Sequence, residues 1–211
     1  MRIDWEAFFP LVKQHCEQVP DPVLLSAVRA AAAEFCRETL AYRVDLDPLM
    51  VVAGTAEYEL DPPDMETRII TPLFVSLDGN ELVETCEDEM PRGWRTGNSG
   101  RPRSYLVMNA QALWLYPAPS EDSATGLFVR AAVKPTTGST GAEDFLLEDH
   151  GETIAHGAVA RILEIPQKAW SDAQLSVYHA GKFRDGLAVT KLRSRKGNTT
   201  ADLRVTPRAF L

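Results

Sequence analysis

Hydrophobic positions follow two different periods along this chain, helical near both ends and alternating between residues 42 and 143. A short stretch within residues 1–20, interrupted by Pro10, turns Leu11, Val12 and Cys16 inward. Asp21-Pro22 then predicts a clear helix start. Asp21 suits the N-cap, and Pro22 falls at the first helical position, where its missing amide hydrogen costs nothing. Leu24, Leu25, Val28, Ala32, Phe35 and Cys36 make the apolar stripe of that helix, which is expected to end near Leu40.

From Tyr42 the period changes to two. Tyr58 and Leu60 alternate with Glu57 and Glu59, and Asp61-Pro62-Pro63-Asp64 breaks the run. Ile69 to Leu77 reads as a strand closed by a hairpin signal at Asp78-Gly79, and further strands are predicted at 105–108, 113–116 and 127–134. Short strands with turn signals between them predict a small antiparallel sandwich or barrel. Two loops interrupt the pattern. Residues 84–103 are polar and glycine-rich and are expected to project, and residues 135–144 (PTTGSTGAED) read as a flexible connector.

The helical period returns at about residue 145. Ile154, Ala155, Ala158, Val159, Ile162 and Leu163 share one face, and Ile165-Pro166 ends that helix. Ser171 and Gln174 form a capping box for a second helix, along which Leu175, His179, Phe183 and Leu187 recur every fourth residue. No helical stripe here can be buried alone, so the first long helix must pack on the last two. The expected fold class is α+β. A helical bundle from residues 1–41 and 144–196 carries an inserted antiparallel β-sandwich or barrel module at 42–143, and an extended C-terminal tail follows at 197–211.

Composition adds little until charge is placed along the chain. The 211 residues carry a net charge of −8, yet residues 182–211 hold eight basic and two acidic side chains. An acidic body with a basic end points to an acidic partner, whether protein, nucleic acid or a neighbouring copy. The start MRIDWEAFFP lacks the pattern of a secretory signal, and no apolar run reaches membrane-spanning length, so a cytoplasmic setting without membrane is expected. Cys16, Cys36 and Cys86 are too few and scattered for a disulfide framework.

Candidate chemistry is sparse. Glu152 and His156, four residues apart, share a helix face that His179 can approach from the next helix. The spacing is wrong for the paired Glu-x-x-His motifs of di-iron bundles, and a metal site needs further matched ligands. Ordinary half-buried histidines are the simpler reading. Asp149-His150 has no nucleophile context, and the glycines of TTGSTG lack the lysine of a phosphate-binding loop. No catalytic residue, metal or cofactor is therefore expected. Of Trp114 and Tyr116, one is expected in the core and the other as an interface anchor, while Trp170 staples the helix corner. Trp94 with Arg95 and Arg101, in the projecting loop, are candidates for contact with a tail protein or a neighbouring copy.

Several runs taken in order are similar to a known family. They are Ala53 to Pro63 (AGTAEYELDPP), Val75 to Leu82 (VSLDGNEL), Gly100 to Tyr105 (GRPRSY), Leu113 to Pro119 (LWLYPAP) and the corner GAVARILEIPQKAWSD. Together they resemble the head-to-tail adaptor proteins of tailed bacteriophages. The resemblance implies a structural virion protein at the head–tail junction, assembled in the host cytoplasm as a ring of about twelve copies beneath the portal protein. It implies a downstream tail partner (a nozzle or tail-tube protein) and genomic DNA passing through the channel without sequence-specific binding. The C-terminal segment would dock into the portal, with Leu203, Val205, Phe210 and Leu211 as anchors among Arg204 and Arg208. The alternative is a DNA-binding phage protein that uses the basic C-terminal segment on phosphates.

Overall fold

The computed structural model describes residues 1–96 and 99–196. Strand β1 (Arg2–Asp4) leads through a 3₁₀ turn at Trp5–Phe8 into helix α1 (Phe9–Lys13) and then the long helix α2 (Asp21–Thr39). Helix α2 starts one residue earlier than Asp21 as a cap would give. Pro20 takes the cap position, and the Asp21 carboxylate instead accepts from Lys13 Nζ at 2.9 Å. The helix closes at Leu40 in the left-handed region (φ 51°), as the sequence predicts.

The alternating segment forms the strands. They are β2 (Arg43–Asp45), β3 (Leu49–Val51), β4 (Glu57–Glu59), β5 (Thr67–Leu77), β6 (Asn80–Glu81), β7 (Val83–Glu84), β8 (Ser99–Gly100), β9 (Ser104–Asn109), β10 (Ala112–Tyr116), β11 (Ala118–Pro119), β12 (Ser123–Pro135) and β13 (Gly141–Glu143). One antiparallel sheet runs in the order β2-β12-β5-β6, with β3 also on β12. A second runs β4-β10-β9-β7, antiparallel except for the β7–β9 pair. Asp78 and Gly79 both take positive φ (48° and 77°) and make the hairpin turn. Inward residues of the two sheets, among them Tyr58, Leu113 and Leu115 from one and Ile69, Val75 and Val129 from the other, share one apolar core. Trp114 and Tyr116 are both half-buried, because residues two apart in a strand share a face; neither is a core residue.

Helices α3 (Asp144–Glu148), α4 (Gly151–Glu164) and α5 (Ala173–Lys196) complete the chain. The cap of α5 is Asp172, whose Oδ1 accepts from the Leu175 amide at 2.9 Å. Ser171, predicted as the cap, instead donates its hydroxyl to the Ile165 carbonyl and accepts from the Lys168 amide, which closes the corner. Trp170 packs there against the helical core, as expected. That core draws on both ends of the chain: Trp5 and Phe8, then Leu24, Val28 and Phe35 from α2, Ile154, Ala158 and Ile162 from α4, and Phe183 from α5. Each fully buried large side chain contributes about 1.5–3 kcal/mol. An exposed ion pair such as Arg130–Asp45 is screened by solvent and contributes far less. Packing therefore holds the two ends together, and charge does not.

Residues 135–144 are not a flexible connector. Strand β13 pairs with β1, Ser139 is fully buried and accepts from Trp5 Nε1 at 3.1 Å (carbonyl) and 3.2 Å (hydroxyl). Glu66 accepts from both the Thr140 hydroxyl (2.7 Å) and amide (3.0 Å). Those bonds, with Arg2 at 2.7 Å, hold its carboxyl below the usual range. Small residues make the seam possible: a Cβ on Gly141 would lie 2.5 Å from the Ile3 carbonyl oxygen.

Two predictions follow from this packing. A Cβ on Gly157 of α4 would stand 2.9 Å from the Phe183 ring of α5, so Gly157→Val should destabilise the chain by about 1–3 kcal/mol through overpacking. Urea unfolding reads this as a lower midpoint at unchanged slope, and a midpoint equal to the parent's would mean that the helices separate at no cost. Burial pushes the Cys16 thiol up to about 11 and Cys36 to about 12, while Cys86 is exposed. A thiol reagent should modify one cysteine per native chain, mapped to Cys86 by mass spectrometry, and all three in denaturant. Native labelling of Cys36 would show an open helical core.

Candidate functional site

Helix α5 spans 24 residues, about 36 Å. Its inner side buries Ser176, His179, Phe183 and Thr190. At 100° per residue Val177, Gly181, Asp185, Ala188, Val189 and Leu192 fall within a sector of roughly 120° on the opposite side. Val177, Val189 and Leu192 are each more than half exposed, and nothing lies within 4 Å of a Cβ built on Gly181. The outer side of this helix therefore exposes these apolar side chains among polar ones, Gln174 near its start and Arg195 near its end, without cover from the described residues of its own chain.

The C-terminal end of α5 is pinned. Arg43 Nη2 donates to the carbonyl and hydroxyl oxygens of Ser194 at 2.7 and 2.8 Å, and its Nε donates to the Leu40 carbonyl at 3.0 Å. Lys191, Arg193 and Arg195 stand exposed around this point. A groove of about 450 Å³ opens beside it, lined by Arg43, Phe145, Asp149, His150, Thr190 and Arg193. His150 packs on Phe35 at 4.7 Å, and burial holds it below the ordinary histidine value. The predicted docking residues Leu203, Arg204, Val205, Arg208, Phe210 and Leu211 lie outside the described residues.

Residues 84–96 are braced on the β region. Trp94 meets Trp114 edge-on at 5.3 Å. Arg95 lies over both rings at 5.2 and 6.0 Å and reaches Glu87 at 2.8 Å. The partner that a tryptophan in this loop calls for is thus Trp114, the strand residue it covers. Arg101 belongs to a separate cleft of about 380 Å³ with Leu77, Asp78, Pro119 and Asp122.

The histidines are brought closer than the sequence suggests. His156 on α4 and His179 on α5 face each other with Nδ1 atoms 2.9 Å apart. His15, in the turn after α1, places its ring 4.6 Å from His179 and 5.9 Å from His156. One ring nitrogen from each of the three lies within 4.8 Å of the others. Burial, with His15 and His156 alongside, pushes His179 down to about 4. His156 is lowered by burial and by His15, against Glu152, which raises it. His15 escapes a sequence reading, since its turn has no periodicity to say which helices it faces.

Comparison with known proteins follows from this geometry. No curated protein sequence matches the chain. The family described as SU10 adaptor protein matches it over residues 9–207, from the first turn of α1 into the segment beyond α5. In agreement with the resemblance to phage head-to-tail adaptors, the chain belongs to the SU10 adaptor protein family.

Proposed function

We propose that this chain is a structural virion subunit, a head-to-tail adaptor that forms a ring beneath the portal and joins it to the next tail protein. The observation that carries the reading is the outer side of α5. A monomer in water has no use for a long helix with Val177, Val189 and Leu192 exposed in one sector, whereas a ring of identical subunits covers such a side at each heterologous contact. In this reading residues 1–41 and 144–196 are the ring body and 42–143 the inserted module. Residues 197–211 are the docking tail, carried by the pinned end of α5. No described helix is long and apolar enough to cross a membrane.

The charge distribution supports the same reading. The acidic body repels phosphate, so DNA can pass a lumen lined by it without being gripped, while a basic lumen would bind through counterion release. Lys191, Arg193 and Arg195 are then used on subunit and portal contacts. A reconstruction of the assembled neck that rings these residues around DNA would contradict the assignment. The second reading, DNA binding by the basic end, rests on the same exposed residues. A gel shift by the purified chain that is lost with added salt would favour it.

Two measurements test the adaptor reading. Mixed with purified portal, the full chain should give a complex of larger mass by light scattering, and removal of residues 197–211 should abolish it. An unchanged complex would end the docking role of the tail. The double variant Val189→Lys, Leu192→Asp, on an exposed face, should keep the circular dichroism of the parent and lose ring formation on the portal. Rings formed normally by that variant would mean that α5 is not the subunit contact.

A further inference from the structure

The three-histidine cluster, exposed at His15, half-buried at His156 and buried at His179, is left unused by an adaptor role. Three elements distant in sequence converge on it: the turn after α1, the middle of α4 and the first half of α5. His179 is only 1% exposed, and its Nε2 has no hydrogen-bond partner among the described residues. The Nδ1 atoms of His156 and His179 can share a single proton at 2.9 Å. Whichever tautomer does so, His179 keeps a desolvated nitrogen unpaired, which costs about 1–3 kcal/mol for a buried polar group. Among the described residues no carboxylate bonds to either ring to orient it.

We propose that His15, His156 and His179 form a binding site for a divalent d-block cation of the Zn²⁺ class, which clamps the N-terminal segment onto the α4–α5 hairpin. Imidazole nitrogens suit such ions and do not suit Mg²⁺ or Ca²⁺, which take oxygen ligands. In a tetrahedral shell with Zn–N of 2.0–2.1 Å, ligand nitrogens stand about 3.4 Å apart. The separations here, 2.9 Å for one pair and all within 4.8 Å, bracket that value. Closing the set takes rotation of the exposed His15 ring and an opening of the His156–His179 pair by about 0.5 Å. Glu152, on the same helix one turn before His156, supplies negative charge against the cation and the nearby Lys182. The site is independent of the portal reading, since it acts within one subunit.

The test uses the full chain with any affinity tag removed. Equilibrium dialysis against Zn²⁺ or Co²⁺ should give one ion per chain, with the visible absorption of tetrahedral Co²⁺. Added Zn²⁺ should raise the melting temperature. His15→Ala removes an exposed ligand without touching the core, so it should keep the parent's circular dichroism. Its affinity should fall by at least about tenfold, the loss seen when even an outer partner of a ligand is removed, and the thermal shift with Zn²⁺ should disappear. His156→Gln should do the same. Absence of a stoichiometric ion on the parent chain, or equal affinity in His15→Ala, would overturn the proposal. Neither result would bear on whether the chain docks to a portal.

Discussion

The rest of the structure depends on one packing constraint: helices α2, α4 and α5 each have an apolar side that they can bury only together. Residue 39 ends the first of them and residue 144 begins the helical return, so everything between must leave the helical core and come back to the same place. The backbone shows how. Tyr42 accepts from the Val133 amide at 2.9 Å, so the first residues of the excursion lie against its last long strand. Strand β1 then holds β13, with Trp5 and Ser139 beneath. A segment whose ends are held side by side can be long, because loop-closure entropy rises only slowly with length. It can therefore carry its own apolar core, as the two sheets do, without loosening the helices.

The legible part of this fold was the part governed by periodicity. The stripe of α2, the alternation of Tyr58 and Leu60 against Glu57 and Glu59, the Asp78-Gly79 turn and the Pro166 break all report local preference, and local preference decided them. The misses have one physical source. Residues 135–144 have the composition of a linker, but small side chains serve equally for a strand packed so close that a Cβ on Gly141 would stand 2.5 Å from the Ile3 carbonyl oxygen. Ser171 and Asp172 are both good caps, and the choice fell to Asp172 because the Ser171 hydroxyl was taken by Ile165. Trp94 reads as a contact residue, and its contact is Trp114, which no local pattern could pair with it. His15 is the same case among the histidines. Long-range pairing, not local chemistry, is what a single sequence withholds.

In the ring proposed above, helix α5 is the element whose exposed side a neighbouring subunit would cover. Its inner side holds Phe183 against Gly157 and Arg161, which also reaches Glu34 on α2, so its first half is tied to both other helices. The outer side leaves Val177, Val189 and Leu192 bare among polar neighbours. An apolar contact is non-directional and would let neighbouring subunits slide along a helix of this length. Register has to come from charges, and screening at physiological ionic strength confines those to about 8 Å. The basic residues that flank the outer side near its end, Lys191 and Arg195, are at the right range to set it.

The end of the helix raises a different question, namely how firmly it should be held. Arg43 caps the last carbonyls of α5, where a cation is favoured by the helix dipole. The residue is exposed, so the interaction is worth only about 0.3–1 kcal/mol. That is too little to hold the helix in place, which the core already does through Phe183 and Thr190. It is enough to orient the last described turn of the helix against Arg43. A subunit that must present a terminal segment to a partner needs a defined point of departure and a low cost of adjustment at that point. A weak cap at the end of a strongly packed helix provides both.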